Sequence, residues 1–401
     1  CPAGGGIPVR RVAVVTGSRA DYGYLHPVLT AIKDHPQLDL QLLVTGMHLS
    51  PQYGSSVQDI EADGFRPAAR VYSLLAGDSE EAVSQSVGLG VMGFAQALQR
   101  LGPDILVIFG DRFESFAAAA AAVPFRIPIA HIGGGENTVA TTIDVTYRAA
   151  MTKMSHLHFV SIEPYRRKLL AMGEEDWRIH VVGSPTLDYI HRTPLLSREA
   201  LSERLGLDLS LPTAVVTYHP VTMEDPEGLG RQVDQLLAAL DRFPDLQWVM
   251  TYPNADTRNG DIVERLQAYA RRNPRARLFK NLGSTVYLSL LSHAALMIGN
   301  SSSGIIEAPS FRLPVVNIGD RQVDRLRAGN VIDVGYSTDD IVRGIYRALD
   351  PAFRAGLADL VNPYGDGRTG ERIAEILAGV PLDRRLLVKE MAAPYREQEA
   401  G

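Results

Sequence analysis

The stretch V-R-R-V-A-V-V-T-G-S-R-A-D-Y-G-Y-L, residues 9–25, decides the class of the fold. An apolar run that ends in Gly17-Ser18 and passes at once into an amphipathic segment is a strand turning into a helix. Such a turn offers free backbone N–H groups at a helix start, where anions are attracted. The Rossmann glycine pattern and the P-loop lysine are both missing, so the turn is neither of those two phosphate cradles. Instead Arg19 adds a planar donor suited to a diphosphate. Asp21, taken alone, reads as a helix cap.

The same alternation continues outward from this stretch. Apolar runs stand at 11–16, 40–45, 104–109, 127–132, 157–160 and 179–183, separated by helix-like segments at 24–33, 80–100, 113–123, 146–155 and 163–172. The series restarts with strands at 213–218, 247–252, 276–279, 295–300 and 314–319. Continuous apolar strands between helices predict parallel sheets covered on both faces, hence an α/β chain of doubly wound domains. The length, 401 residues, suits two ordinary domains, and the proline-marked stretch 184–212 reads as the seam between them. Two such domains form a cleft, and ligands in these sheets bind beyond the carboxyl ends of the strands.

Polar residues just after each strand therefore carry the most weight. F-G-D-R-F-E-S at 109–115 supplies Asp111, Arg112 and Glu114, more charge than one cap needs. H-I-G-G-G-E at 131–136 sets His131 and Glu136 around three glycines that permit close backbone approach. Asp144 opens the next helix and reads equally as its N-cap or as a catalytic group, with Arg148 one turn further on. In the second half, T-Y-H-P-V-T places His219 at a strand end, and T-Y-P-N-A-D offers Asn254 and Asp256. M-I-G-N-S-S-S-G-I-I-E at 297–307 runs a strand into three serines and a glycine, a good phosphate site. Glu307, expected one to two turns inside the following helix, is suited to a pair of ribose hydroxyls.

Bulk properties exclude several classes. The net charge is −6 and no basic-aromatic run argues for nucleic acid. No stretch approaches the roughly 20 apolar residues of a membrane span. Cys1 is the only cysteine, so no disulfide forms within the chain, and a reducing cytoplasm is the expected setting. His156 and His158 alternate on a strand and face opposite ways, and no metal-binding spacing occurs; no metal is expected.

Taken together, V-T-G-S-R-A-D-Y-G, G-D-R-F-E, H-I-G-G-G-E, M-T-K-M-S-H-L-H-F-V-S, V-G-S-P-T-L-D, Y-H-P-V-T, P-N-A-D and G-N-S-S-S-G-I-I-E-A-P-S-F-R-L-P-V-V-N-I-G-D-R-Q resemble, in order, the hydrolysing UDP-N-acetylglucosamine 2-epimerases of sialic-acid biosynthesis. The resemblance runs from about residue 11 to 377. It implies the GT-B architecture, with Rossmann-like domains at 9–186 and 187–365 facing across a cleft and a last helix, 366–390, returning to the first. It implies a UDP-sugar substrate, no cofactor, and a homodimer or homotetramer. Ser301 and Ser302 would hold phosphate, Glu307 the ribose, Arg19 the diphosphate, and the backbone near Phe279 the uracil. His219 and Asn254 would line the same cavity, while Ala20, Asp21, Arg112 and Arg148 would contact substrate.

The implied reaction is anti elimination of UDP across C1–C2 to a glycal, followed by hydration that returns a proton to C2 on the other face. N-acetylmannosamine and UDP are the products. Asp111, Glu136 and Asp144, with His219, would supply the acid–base groups. A non-hydrolysing epimerase and a GT-B glycosyltransferase are the alternatives on the same fold. The chain departs from the family pattern G-G-E-V-T-E-G-A-I-D-D-S-I-R-H at Val139, Val145 and Ala149. These less polar neighbours suit a deoxy sugar, such as a 2,4-diacetamido-2,4,6-trideoxy sugar of the legionaminic-acid route.

Overall fold

Strand β1 (Arg10–Thr16) is apolar throughout its buried part because both of its faces are covered. Val12 and Val14 pack into one cluster with Leu25, Leu29 and Ile32 of the helix Arg19–Asp34. Ala13 and Val15 pack into another with Phe94 and Leu98 of the helix Glu80–Leu101 and the alanines of Phe113–Ala122. The computed structural model describes residues 9–75, 79–136, 142–220, 228–253 and 259–390. They fall into two units, one running to Tyr189 and resuming at Tyr364, the other Ile190–Pro363.

In the first unit, β1 is joined by β2 (Leu38–Thr45), β3 (Pro67–Val71), β4 (Ile105–Phe109), β5 (Ile129–Ile132), β6 (Leu157–Val160) and β7 (Ile179–Val181). Every neighbouring pair is parallel, in the order β3-β2-β1-β4-β5-β6-β7. The chain reverses direction across the sheet between β1 and β4, the switch point where loops part and ligands bind.

The second unit repeats the plan. Strands β8 (Thr213–Thr217), β9 (Gln247–Thr251), β10 (Ala276–Phe279), β11 (Leu296–Gly299), β12 (Val315–Ile318) and β13 (Val331–Val334) form a parallel sheet in the order β10-β9-β8-β11-β12-β13. Its switch point lies between β8 and β11. Trp248, Met250, Leu266 and Tyr269 anchor its core. Both units are doubly wound, as the apolar runs predict.

Two strands, β3 and β13, are missing from the sequence reading. Both are edge strands with a single neighbour, and both expose residues, Arg70 in P-A-A-R-V and Asp333 in V-I-D-V. In each a charged residue interrupts a short run; edge position alone does not hide a strand, since β7 and β10 are edges as well and are legible in the sequence.

The end of the chain belongs to the first unit, and buried polar groups fasten it there. The carboxylate of buried Asp188 accepts from the backbone N–H groups of Thr369 and Gly370 at 2.9 and 2.6 Å, capping the helix Thr369–Gly379. A Cβ on Gly370 would sit 2.6 Å from the Pro27 carbonyl oxygen, so glycine permits the close approach to the helix Arg19–Asp34. Arg178, wholly buried, donates to the carbonyls of Arg385, Leu386 and Val388 at 2.8 to 3.0 Å and pairs with Glu175 at 2.6 Å.

Candidate active site

At the carboxyl end of β1, Ser18 takes the extended conformation of an N-cap, φ −147° and ψ 162°, and its hydroxyl accepts from the Asp21 N–H at 3.3 Å. The capping role expected for Asp21 therefore falls to Ser18; Asp21 is already helical, in the first turn. Its carboxyl is raised to about 6, first by burial, with Arg112 opposing and the charges of Glu114 and Asp111 adding. Arg19 is exposed and pairs with Asp59 at 3.1 Å, and Ala20 beside it is exposed.

Beyond β4, Arg112 is gripped by buried Glu114 through two hydrogen bonds, Nε to Oε2 at 3.1 Å and Nη2 to Oε1 at 2.8 Å. Arg148 pairs with the Asp111 carboxylate and also donates to the main-chain carbonyl of Glu136, so one guanidinium ties two strand ends together. Asp111 is raised above the ordinary aspartate value by burial first; Arg148 opposes this and Asp144 adds to it. The Ser161 hydroxyl donates to Glu136 Oε1 at 3.4 Å.

Asp144 is the third residue of the helix Thr142–Met154, so the N-cap reading is replaced: it lies within the first turn, where its charge acts on Asp111 and Arg112. Val145 is exposed beside it, as is Ala149; Val139 lies outside the described residues. The glycines at 133–135 do what their spacing suggests. Gly135 has φ +76°, and a Cβ there would sit 2.9 Å from the Tyr165 carbonyl oxygen.

Two buried histidines hold these turns. His131 Nε2 meets the Gly110 carbonyl at 2.8 Å, which makes Nε2 the protonated nitrogen. His48 sits between the Thr16 hydroxyl at 3.0 Å and the Ser56 hydroxyl at 2.7 Å. His48 escaped the sequence reading. Its signal was the repeat of V-V-T-G at 14–17 as L-V-T-G at 43–46, which marks a second strand end.

In the second unit, His219 follows β8. Its backbone is clasped by buried Asn300, whose Oδ1 accepts from the His219 N–H at 2.7 Å and whose Nδ2 donates to the His219 carbonyl at 2.9 Å. The Asn300 carbonyl in turn accepts from Arg321 at 3.1 Å and Gln322 at 2.9 Å. Asn300 is thus the fastening of this switch point, and nothing in the sequence separated it from a turn asparagine. Gly299, φ +137°, is obligatory, since a Cβ there would lie 1.9 Å from the Thr217 carbonyl oxygen.

Ser301 and Ser302 follow β11 half-buried, and the Ser303 hydroxyl donates to Glu307 Oε2 at 2.5 Å while accepting from Tyr287 at 2.8 Å. Burial raises the Glu307 carboxyl above its ordinary value. The expectation that Glu307 lies one to two turns inside a helix is corrected. The helix is a single turn, Ser303–Ile306, and Glu307 joins it to the 3-10 turn Ala308–Phe311. Pro309, which lacks an N–H, cannot continue the α-helical ladder. Phe279 ends β10, and its carbonyl accepts from the Tyr252 N–H at 3.1 Å. Asn254 lies outside the described residues. Among the described residues, no group of three or more His, Asp, Glu or Cys is placed to hold a metal ion, and no helix is long and apolar enough to cross a membrane.

Burial pushes His48, His156 and His219 down to about 4 and His131 to about 3. Unfolded, each titrates near 6.5, so below that pH the unfolded chain binds more protons than the folded one. Their contribution to stability is therefore complete above about pH 6.5 and is lost as the pH falls toward 4. The expected slope is on the order of 1.4 kcal/mol per pH unit for each histidine. Urea midpoints measured from about pH 7 down to about pH 5 should fall steadily; a flat profile would contradict the assignment.

The first unit thus offers carboxyls of raised affinity for protons beside two guanidiniums, a set that can move a proton while holding an anion. The second offers hydroxyls and a buried carboxyl around a strand end.

The family model described as UDP-N-acetylglucosamine 2-epimerase matches residues 30–378. A UDP-N,N'-diacetylbacillosamine 2-epimerase (hydrolyzing) of Legionella pneumophila is 37% identical, over 95% of this chain and 99% of its own. A GDP/UDP-N,N'-diacetylbacillosamine 2-epimerase (hydrolyzing) of Campylobacter jejuni is 39% identical, over 81% of this chain and 84% of its own. The structure of a UDP-GlcNAc 2-epimerase from Neisseria meningitidis bound to UDP-GlcNAc superposes with a TM-score of 0.74 at 20% identity, covering 92% of this chain and 99% of that one. The fold is that of these GT-B-like enzymes.

Proposed function

The chain belongs to the UDP-N-acetylglucosamine 2-epimerase family, and from that premise we propose that it is a hydrolysing epimerase acting on a UDP-linked 2,4-diacetamido-2,4,6-trideoxy sugar. The observation that carries the chemistry is the linked set Asp111, Arg148 and Glu136 at adjacent strand ends, with Asp144 one helical turn before Arg148. Elimination removes the proton at C2 and breaks the C1–O bond, so the electron pair of the C2–H bond becomes the glycal double bond and UDP leaves. Water then adds its oxygen at C1, and C2 takes a proton on the opposite face. One group accepts a proton and another delivers one, a task for carboxyls held at different proton affinities.

In the first unit we assign the acid–base work to Asp111, Glu136 and Asp144, and anion contacts to Arg19 and Arg112. In the second, Ser301 and Ser302 serve phosphate and Glu307 the ribose. Two hydrolysing relatives named for the diacetamido sugar support the substrate, as do exposed Val145 and Ala149 on the helix that carries Asp144 and Arg148. The test is NMR of the products from purified protein in D₂O with UDP-N-acetylglucosamine and with the diacetamido UDP-sugar. Free UDP and a free sugar carrying deuterium at C2 are expected, faster from the diacetamido substrate. A product still bound to UDP would establish a non-hydrolysing epimerase, and preference for N-acetylglucosamine would remove the substrate assignment.

A further inference from the structure

Glu114 has an environment that a helix-surface glutamate would not need. It is 2% exposed, and among the described residues both carboxylate oxygens accept only from Arg112. Two glycines from separate turns make room for it. A Cβ on Gly17, after β1, would stand 3.3 Å from the Glu114 side chain. A Cβ on Gly46, after β2 and at φ +58°, would stand 2.7 Å from Glu114 Oε1. Three strand ends therefore converge on one carboxylate, and that carboxylate holds one arginine.

The grip uses only one edge of the guanidinium. Nε and Nη2 are bound to Glu114, with Met47 Sδ 3.9 Å from Nη2 and the Phe113 ring 5.6 Å from the guanidinium carbon. Nη1 makes no hydrogen bond among the described residues, and the Arg112 side chain is 33% exposed. Asp21 stands 3.8 Å from Nε, and Asp144 also acts on this arginine. With that much negative charge around it, Arg112 is not arranged to maximise positive potential. It is arranged to point in a fixed direction.

We propose that Glu114 is a positioning residue that orients Arg112 so that its open Nη1 edge meets the anionic portion of the UDP-sugar. This inference rests on the epimerase reading above. A guanidinium fixed before the ligand arrives loses less side-chain freedom on binding than one waving in solvent.

The experiment is calorimetric titration of UDP into the full chain, its Glu114→Ala, Arg112→Ala and double variants, and Glu114→Gln, with steady-state kinetics alongside. Glu114→Ala is expected to weaken UDP binding about tenfold, the cost of one newly mobile side chain. KM should rise by a similar factor while kcat falls less. In the Arg112→Ala background the same substitution should change UDP affinity by less than about twofold, because its effect passes through Arg112. Glu114→Gln keeps the shape and one neutral acceptor, so it should bind UDP better than Glu114→Ala, and it stands in if the alanine variant does not fold. Equal losses in the presence and absence of Arg112, or an unchanged UDP affinity in both Glu114 variants, would overturn the positioning role. If the unsubstituted protein bound no UDP, the epimerase reading itself would fall, and this inference with it.

Discussion

Glu136→Gln is expected to lower turnover by about two or more powers of ten while UDP binds nearly as before. Glutamine fills the same space and can still accept from Ser161, and the main-chain carbonyl at 136 keeps its bond from Arg148. What is lost is the ability to take up and release a proton. The local frame is also closely packed, since Gly135, just before Glu136, lies against the Tyr165 carbonyl and the Leu169 side chain with no room for a Cβ. Rapid-quench measurement of UDP release, beside UDP titration of the same variant, reads both halves of the expectation. Turnover equal to that of the parent would remove Glu136 from the acid–base set, and loss of UDP binding would make it a ligand contact instead.

The second large effect concerns stability. Arg178→Ala should destabilise the first unit by about 3 kcal/mol or more, the cost of breaking a buried, fully hydrogen-bonded charge. Arg178 holds the carbonyls of His156, Arg385, Leu386 and Val388 and the carboxylate of Glu175, all from one position with no exposed surface. It also lies 4.2 Å from the Trp177 ring, with Arg385 on the same ring at 4.5 Å. Alanine leaves those carbonyls without their donor and releases the segment that follows the helix Thr369–Gly379. In calorimetry the transition of this unit should move down by about 10 °C. A shift within about 2 °C would show that the C-terminal segment is held by its apolar contacts, Leu377 and Leu386 among them, and not by this arginine.

How much of this was legible before the fold was known differs from element to element. V-R-R-V-A-V-V-T announced a central parallel strand because such a strand is buried on both faces, and one-dimensional apolarity then suffices to find it. P-A-A-R-V and V-I-D-V did not announce themselves, since an exposed charged residue, Arg70 or Asp333, breaks each short run. Strand ends were readable in the same way. Asp111, Arg112 and Glu136 stand where a run of apolar residues marks a turn, Arg148 stands inside the helix that follows, and the structure gathers them around one another.

The partners of those residues were not readable. Ser18, not Asp21, caps the first helix; Asp144 lies inside its helix; Glu307 joins two short turns. Each difference is a matter of one to three residues, which an apolar period cannot resolve because it reports the face of a helix and not where the helix begins.

By itself the sequence determined the class of fold, the places along the chain where polar groups reach the ends of the sheets, and, through its motifs, the family. All three rest on local or periodic properties: runs, turns and ordered short patterns. Only the tertiary structure decided that Glu114 grips Arg112, that Arg148 bridges Asp111 to Glu136, that Asn300 clasps His219 and that Arg178 fastens the end of the chain. Apart from Glu114 and Arg112, which are two residues apart on one turn, those pairings join residues from different elements and distant segments. Which donor meets which acceptor is fixed by the register and twist of packed sheets, and that register exists only once the chain has closed its loops.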